Sequence, residues 1–202
     1  MTPLILSLDT TREYGSIALL RGEHLVEEIT IHAPKGFAQM LYGHLGALLE
    51  RQGVKPAAID CFAAASGPGS FTGVRVGLAC IKGLAEAVGK PAVGVSNLEA
   101  LASLGTGELR APIFDARRGE IYGAVYDAAG RAVMPEIVAR LDEWRQTLPP
   151  GTEIVELAAE APLAAAIARI ALARFLHNEA TDPAALDANY VRRPDAELLW
   201  KQ

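Results

Sequence analysis

The chain has 202 residues, half of them apolar, and a formal net charge of −5 at pH 7. This length suits one domain or two small lobes, and the apolar fraction is enough for a sizeable core, so we expect a folded globular protein. Contacts to phosphate need clustered lysine and arginine, and no such block occurs, so the composition disfavours a protein that binds nucleic acid unaided. We expect any RNA contact to be shared with a partner.

The lengths of the apolar runs indicate the compartment. The first apolar run stops at Asp9, and no run approaches the roughly 18 apolar residues of a membrane span. Because no signal-peptide pattern is present either, we expect a cytoplasmic protein without membrane contact. Cys61 and Cys80 lack metal-ligand spacing, which favours two small buried hydrophobic side chains. No two histidines stand four residues apart, so neither a metal site nor a cofactor is predicted.

The first half of the chain predicts strands first and then helices. Turn residues separate three apolar runs, which predicts a meander of strands over residues 4–8, 16–20 and 24–31. An apolar helix over residues 36–52 follows and ends at Gly53. A buried strand is then predicted over residues 59–65, and a helix that opens with a glycine-rich turn is predicted over residues 71–88. A short strand at residues 92–95 and a helix from residue 97, capped by Ser96, follow.

The second half begins with a partial repeat of the first. A strand that ends in Asp115, a turn and a second strand follow the order seen about 106 residues earlier around Asp9. Such a duplication predicts an α/β protein of two actin-like (ASKHA) lobes, each a mixed sheet with helices, with the second lobe shorter. We place the lobes at residues 1–104 and 105–202. A short helix, a strand and an apolar helix are expected at 141–147, 153–157 and 163–176.

The segment from Ser66 to Gly73 joins a buried strand to a helix N-terminus, where free N–H groups and the helix dipole favour an anion. Gly67 and Gly69 permit a sharp bend or a close ligand, and Ser70 or Thr72 can cap the helix. The spacing is neither the dinucleotide fingerprint nor a phosphate loop, so a plain tight turn packed under a neighbour stays open as the alternative. The candidate anion or nucleotide turn comprises Asp9, Thr10, Gly67, Gly69, Ser70, Thr72 and Gly73.

Asp9 and Asp115 each end a first strand, where actin-like phosphotransferases place carboxylates that bind a magnesium nucleotide. An actin-like nucleotide-binding ATPase or phosphotransferase is therefore the rival function. We favour aspartates that accept hydrogen bonds from the turns behind them, because neither turn has glycines that would let a phosphate approach the backbone. No motif of a nucleophilic hydrolase occurs, so no catalytic residue is predicted. Arg117 and Arg118 form a small basic spot that is best explained as a solvated hairpin turn.

Two of the predicted helices carry more apolar or small residues on their surfaces than packing against a single sheet requires. Apolar side chains cover nearly the whole circumference of helix 36–52, and small residues in helix 71–88 allow another helix to approach closely. Both features predict a protein interface, unless the chain itself supplies the second cover. The predicted interface residues are Phe37, Met40, Leu41, Leu45, Leu48, Gly73, Gly77 and Lys82.

The run Ser-Gly-Pro-Gly-Ser-Phe-Thr-Gly-Val-Arg-Val-Gly, at residues 66–77, resembles the hallmark of the TsaB (YeaZ) family, which takes part in forming threonylcarbamoyladenosine in bacterial tRNA. The similarity extends from Leu4–Thr11 to Gly94–Leu101. It is looser in the second half, where Tyr190–Pro194 is similar to a Tyr-x-Arg ending of the family.

The resemblance implies a non-catalytic, actin-like subunit that binds and activates the related transferase TsaD. It implies a heterodimer through a bundle of the first two helices of each first lobe, and a homodimer when TsaD is absent. The ATPase TsaE and tRNA would be reached through the complex. Within Gly94–Leu101, TsaD carries two metal-binding histidines at the places held here by Asn97 and Leu101. The resemblance therefore also implies loss of the catalytic metal.

Overall fold

The computed structural model describes residues 2–192 and divides into two compact units. The first unit contains the residues up to Asn97 together with Ala158–Ala188, and the second contains Leu98–Leu157 with the described residues after Ala188. Met1 and residues 193–202 lie outside the described part, and so do the last two positions of the Tyr190–Pro194 motif. Among residues 2–192, no helix is long and apolar enough to cross a bilayer.

The described residues form nine β-strands, five α-helices and two short 3-10 helices. The strands are β1 (Leu4–Asp9), β2 (Tyr14–Arg21), β3 (His24–His32), β4 (Cys61–Gly67), β5 (Ala92–Ser96), β6 (Leu109–Arg117), β7 (Glu120–Asp127), β8 (Ala132–Arg140) and β9 (Glu153–Val155). The α-helices are α1 (Leu41–Arg51), α2 (Phe71–Val88), α3 (Asn97–Ala102), α4 (Leu141–Arg145) and α5 (Ala164–Leu176). The 3-10 helices are Pro56–Ala58 and Pro183–Ala185.

The sheet of the first unit has the strand order β3-β2-β1-β4-β5. β1, β2 and β3 form the predicted antiparallel meander, whereas β4 pairs parallel to β1 and β5 pairs parallel to β4. β1 and β4 are buried along their whole length, as the continuous apolar runs of central strands require. Leu6 and Phe62 of these strands share a core cluster with residues of α1 and α2. Ala18 of β2 packs instead against Ala164 and Ala165 of α5.

Helix α5 belongs to the first unit, although it follows the strands of the second unit in sequence. Ser7 Oγ in β1 donates to Ala164 O at 2.7 Å, and Ser16 Oγ in β2 accepts from the N–H groups of Leu163 at 3.1 Å and Ala164 at 2.9 Å. The predicted division at residue 104 therefore differs from the observed one, because the chain returns to the first unit after residue 157. An apolar helix pattern does not specify which sheet the helix covers.

The sheet of the second unit has the strand order β8-β7-β6-β9. β6 and β7 form the strand-turn-strand unit that the partial sequence repeat predicted. β8 extends it into an antiparallel meander like that of β1, β2 and β3, and β9 pairs parallel to β6. Ile113 and Val125 pack with Trp144 of α4. Ala124 and Tyr126 form a separate cluster with residues of α3.

Two elements differ from the prediction. α1 begins at Leu41 rather than at residue 36, because the preceding residues form a turn in which Phe37 O accepts from the N–H groups of Met40 at 3.1 Å and Leu41 at 3.0 Å. β8 is absent from the predicted elements, since Pro135 and Glu136 interrupt its apolar pattern. β8 is an edge strand of its sheet, where the missing N–H of a proline is tolerated.

Candidate functional site

Asp9, Thr11 and Asn97 form a buried hydrogen-bonded cluster where β1 and β5 end. Asp9 Oδ1 accepts from Thr11 N at 2.8 Å and from Thr11 Oγ1 at 2.6 Å, which confirms the predicted turn hydrogen bond. Asn97 Nδ2 donates to Thr11 Oγ1 at 2.7 Å, and Asn97 Oδ1 accepts from Gly67 N at 3.0 Å. The amide of Asn97 therefore ties the end of β4 to the turn that follows β1.

The second carboxylate oxygen of Asp9 is buried and accepts no hydrogen bond from residues 2–192. Arg12 Nη2 lies 3.6 Å from this Oδ2 atom, close enough for an ion pair. The same Nη2 donates to Ala161 O at 2.9 Å. The charge of Arg12 offsets part of the cost of burying the carboxylate, while the oxygen keeps the capacity to accept a hydrogen bond.

The glycines of the Ser66–Gly73 turn and of early α2 lie against the segment that follows β1. An added Cβ would lie 2.7 Å from Thr11 Cβ at Gly69 and 2.5 Å from Thr10 Oγ1 at Gly77, and at Gly73 it would collide with Thr10 O. Thr10 Oγ1 also donates to Gly73 O at 2.7 Å. The space that these small residues leave is therefore filled by the chain itself.

The N–H groups of the turn are also engaged within the chain. Ser70 N donates to Thr11 O at 2.8 Å, and Gly73 N donates to the capping oxygen Ser70 Oγ at 3.3 Å. An anion at this helix start would have to compete with these acceptors. Thr72 is exposed on the helix surface. The other members of the candidate turn lie together, as predicted: Asp9, Thr10, Gly67, Gly69, Ser70 and Gly73.

Asp115 lies two residues before the end of β6, and it differs from Asp9 in being exposed. Its Oδ1 accepts from Arg117 N at 2.7 Å. The prediction that this aspartate bonds the turn behind it is confirmed.

Most of the predicted interface residues do not face solvent. The side chains of Phe37, Leu41, Leu45 and Leu48 are buried in the core of the first unit, so the prediction that they face a partner is wrong. It is also wrong for Gly73 and Gly77, which face Thr10. The leucine-rich side of α1 covers its own sheet, and one apolar stripe is sufficient for that. Two residues remain half-buried: Met40 packs against the core, and Lys82 Nζ donates to Ala184 O at 3.2 Å.

The exposed side of α1 carries residues that the sequence reasoning missed. Tyr42 is 60% exposed, and a Cβ at Gly43 or Gly46 would meet nothing within 4 Å. On α2, Phe71 is 38% exposed, and the guanidinium of Arg75 lies 3.7 Å from its ring centroid. We call these five residues the α1–α2 surface. The available signal was the pair of glycines inside a helix, each of which costs about 1 kcal/mol of helix stability relative to alanine.

Cys61 and Cys80 are free and buried, as predicted. Burial raises the pKa of Cys61 to about 12 and that of Cys80 to about 11. The pKa of Tyr42 is raised as well, first by the negative charge of the Cys80 thiolate and then by burial. This interaction places Tyr42 of α1 beside α2. Within the described residues, no three His, Cys, Asp or Glu side chains form a group suited to a metal ion.

Comparison with known proteins identifies the family. A family model described as "TsaD: tRNA N6-adenosine threonylcarbamoyltransferase" matches residues 29–184. The chain belongs to this TsaD family. The structure described above is thus that of a TsaD-family protein in which Asn97 is used for internal hydrogen bonds.

Several of the named relatives of this TsaD-family chain are TsaB proteins. It is 34% identical over 149 residues to the "tRNA threonylcarbamoyladenosine biosynthesis protein TsaB" of Bacillus subtilis, an alignment that covers 71% of this chain and 65% of the relative. It is 37% identical over 149 residues to the TsaB protein of Haemophilus influenzae, covering 71% of this chain and 61% of the relative. The chain therefore spans less than two thirds of the length of these relatives.

Solved structures agree with this assignment. The structure of YeaZ from Pseudomonas aeruginosa has a TM-score of 0.78 and 26% sequence identity, and the match covers 93% of this chain and 99% of that chain. The predicted resemblance to TsaB (YeaZ) and the predicted α/β fold of two actin-like lobes are confirmed.

Proposed function

We propose that this chain is a non-catalytic subunit that binds and activates TsaD in the formation of threonylcarbamoyladenosine, at the adenosine next to the anticodon of tRNA. The names of the relatives, which concern threonylcarbamoyladenosine biosynthesis, support the pathway. In this proposal the chain acts in the cytoplasm, and TsaE and tRNA meet it in the complex. Alone, it forms a homodimer through the surface that TsaD otherwise occupies.

The chemistry of two positions supports a role without catalysis. Asn97 is fully buried, and both ends of its amide are used to hold Thr11 and Gly67. Leu101 is also fully buried and has no lone pair to offer a metal ion. The resemblance implies that TsaD binds its metal ion at these two positions. In this chain the same two positions serve internal packing.

The observation that carries the binding role is the open glycine pair Gly43 and Gly46 beside the exposed Tyr42. A glycine inside a helix costs stability, and here neither a turn nor a crowded neighbour in the described chain requires it. Missing side chains let another helix approach closely, and a tyrosine beside them supplies a large contact area at low entropic cost. The α1–α2 surface therefore suits a tightly packed helical partner.

The proposed mechanism is a shift in the conformational equilibrium of the partner. TsaD is active in one of its states, and this subunit binds that state more tightly than the others. Differential binding of about 2.7 kcal/mol would change the ratio of two states about a hundredfold. No covalent bond to this chain is needed.

Replacing Gly46 by leucine tests the proposal with opposite effects on folding and binding. Leucine is a better helix former than glycine by about 1 kcal/mol, and Gly46 has open space, so the melting temperature should stay the same or rise. The added side chain should hold the partner helix away and weaken association at least tenfold, about 1.4 kcal/mol. Light scattering on a sizing column would measure homodimer formation and heterodimer formation with TsaD from the same source.

The matched control is Ala173→Leu, which adds a leucine at an exposed position of α5 in the same unit. It should leave both association constants and TsaD-dependent tRNA modification unchanged. If Gly46→Leu also left them unchanged, the α1–α2 surface would not be the interface. A chain that stayed monomeric and indifferent to TsaD would contradict the proposal as a whole.

One observation favours a second candidate, the actin-like nucleotide-binding ATPase or phosphotransferase. Asp9 Oδ2 is buried without a hydrogen bond from the described residues, and it could accept one from the water shell of a magnesium nucleotide. Thermal unfolding with and without magnesium-ATP distinguishes the two functions. Stabilisation that disappears in Asp9→Ala supports the nucleotide function, and an unchanged melting temperature supports the adaptor.

A further inference from the structure

The turn after β1 and the start of α2 are joined by a continuous chain of hydrogen bonds that runs through Asn97. Asn97 Oδ1 accepts from Gly67 N at 3.0 Å, at the end of β4. Asn97 Nδ2 donates to Thr11 Oγ1 at 2.7 Å. Thr11 O in turn accepts from the N–H of Ser70, the residue that caps α2, at 2.8 Å. The start of α2 is therefore tied to Asn97 both through the end of β4 and through Thr11.

The two side chains in this chain of bonds are shielded from solvent. Asn97 is fully buried, and Thr11 is 2% exposed. Thr11 Oγ1 also donates to Asp9 Oδ1 at 2.6 Å, and a longer bond of 3.5 Å joins Asn97 Nδ2 to the same oxygen. Water does not replace a hydrogen bond that is lost at such a depth, so a buried group left without its partner is costly.

The start of α2 contacts this turn without side chains of its own in between. A Cβ at Gly69 would lie 2.7 Å from Thr11 Cβ, and a Cβ at Gly73 would collide with Thr10 O. Thr10 Oγ1 donates to Gly73 O at 2.7 Å. Flexible side chains at a contact can absorb a displacement, whereas a close-packed backbone leaves no space to do so. A shift of the Thr10–Thr11 backbone is therefore transmitted to α2.

The residues at the exposed start of α2 belong to the α1–α2 surface. Phe71 is the first residue of α2, and it directly follows Ser70, whose N–H is bonded to Thr11 O. Arg75 follows one turn later, with its guanidinium 3.7 Å from the centroid of the Phe71 ring. The buried bonds of Thr11 thus fix the part of the backbone that carries these two surface side chains.

We propose that Thr11 and Asn97 are positioning residues for the α1–α2 surface. They fix the start of α2, and through it they set the affinity of this surface for its partner. The partner is that of the proposed function, on which this part of the inference rests, whereas the placement of α2 needs no partner. Neither side chain has to touch the partner, because the packing at the centre of an interface is as dense as a protein interior and a small displacement costs affinity.

Thr11→Val tests the placement of α2. Valine has nearly the shape of threonine but no hydroxyl, so Asn97 Nδ2 loses its acceptor at 2.7 Å while the turn keeps its bulk. Hydrogen exchange, followed by mass spectrometry in dilute solution where a homodimer dissociates, should become about tenfold faster over residues 69–77, equivalent to about 1.4 kcal/mol. The conservative variant Thr11→Ser keeps the hydroxyl and should exchange in this segment like the unchanged chain.

The matched control is Ser7→Ala, which removes a different buried hydrogen bond of the same unit. Ser7 is fully buried in β1, and its Oγ donates to Ala164 O of α5 at 2.7 Å. This variant should accelerate exchange over residues 164–172 of α5 and leave residues 69–77 unchanged. Equal acceleration of both segments in both variants would overturn the inference, because it would report a general loss of stability.

Association is the second measurement, made by light scattering at a temperature where all variants are folded. Thr11→Val should weaken the homodimer and the heterodimer with TsaD about tenfold, whereas Thr11→Ser and Ser7→Ala should leave both unchanged. Faster exchange over residues 69–77 with unchanged association would overturn the link to the partner. Unchanged exchange in Thr11→Val would overturn the positioning role itself.

Asn97→Ser breaks the same chain of bonds from its other end and serves if Thr11→Val does not fold. The shorter side chain of serine cannot span the distance between Gly67 N and Thr11 Oγ1, so it should reproduce the exchange and association pattern expected for Thr11→Val. An Asn97→Ser chain that exchanges over residues 69–77 like the unchanged chain would contradict the proposal.

The two proposals can fail independently. Gly46→Leu asks whether the α1–α2 surface is the interface, whereas the exchange measurement on Thr11→Val needs no partner. A chain that associates neither with itself nor with TsaD would reject the proposed function, and the exchange pattern would then decide the positioning role alone.

Discussion

At the scale of single residues, glycine serves two opposite purposes in the first unit. Gly73 and Gly77 in α2 let the helix lie directly against Thr10, where a Cβ would collide. Gly43 and Gly46 in α1 adjoin open space, where a Cβ would meet nothing. The first pair is required by the internal packing of the chain, whereas the second pair lowers helix stability without any such benefit.

Two substitutions in α2 separate these purposes. Gly73→Ala should destabilise the protein by roughly 1–3 kcal/mol, because its Cβ has to displace the backbone at Thr10. Gly83→Ala, in the same helix but with open space, should stabilise it by up to about 1 kcal/mol through helix propensity. Urea unfolding of both variants measures the difference, and stabilisation by Gly73→Ala would contradict the close contact.

At the scale of elements, the start of α5 is held by side chains of the sheet rather than by a cap of its own. α5 has no side-chain cap hydrogen bond at its N-cap residue, Leu163. Ser16 Oγ accepts from the N–H groups of Leu163 and Ala164, and Glu28 Oε1 accepts from Ala165 N at 2.7 Å. Two strands therefore supply the acceptors that helix N-termini need, which fixes where the helix begins on the sheet.

The burial of Glu28 makes stability depend on pH. Burial raises the pKa of Glu28 above its ordinary 4.5, partly opposed by the hydrogen bond from Ala165. The folded state then holds this proton more strongly than the unfolded state, so its stabilising effect is complete below pH 4.5 and is lost as the pH rises through the raised pKa. Urea unfolding over this pH range should show the stability of the unchanged chain falling relative to Glu28→Gln.

Glu27 on the same strand provides the control of opposite sign. Hydrogen bonds from Arg51 and Gln52 lower the pKa of Glu27 below 4.5. Its stabilising effect is therefore present above pH 4.5 and is lost as the pH falls through the lowered pKa. The difference between the unchanged chain and Glu27→Gln should shrink in acid, and parallel pH profiles for the two variants would contradict both assignments.

At the scale of the whole molecule, the chain builds its first unit from two separate stretches. The residues up to Asn97 supply the sheet, and Ala158–Ala188 returns to supply α5. Ile167 and Leu172 of α5 are buried there. Burial of such side chains contributes about 1.5–3 kcal/mol each, a large share of the roughly 5–15 kcal/mol that stabilises a typical domain.

Fragments test this division directly. Residues 1–104, the first lobe as the sequence predicted it, lack α5 and should show no cooperative unfolding transition. Residues 1–97 joined to 158–188 by a flexible glycine-serine linker should unfold cooperatively, because every element of the first unit's sheet and both of its covering layers are present. Circular dichroism during thermal unfolding measures both, and cooperative unfolding of residues 1–104 alone would favour the predicted boundary.

Much of the fold could be predicted from local patterns in the sequence. Apolar runs bounded by turn residues located β1 to β7, and Gly53 and the Ser66–Gly73 turn marked a helix end and a helix start. The hydrogen bonds of Asp9 and Asp115 to their own turns were predictable too, because they span only two residues. β8 was missed since an edge strand tolerates a proline and a broken apolar pattern.

The sequence by itself determined the order of the strands and helices other than β8, the meander of β1 to β3 and the resemblance to TsaB, because each depends on neighbouring residues. Only the tertiary structure decided which side of α1 is covered, that α5 packs in the first unit, and that Gly73 and Gly77 lie against Thr10. An apolar or small side chain shows that a position is crowded or buried. What lies against it is set by contacts between residues far apart in the chain, which no local pattern specifies.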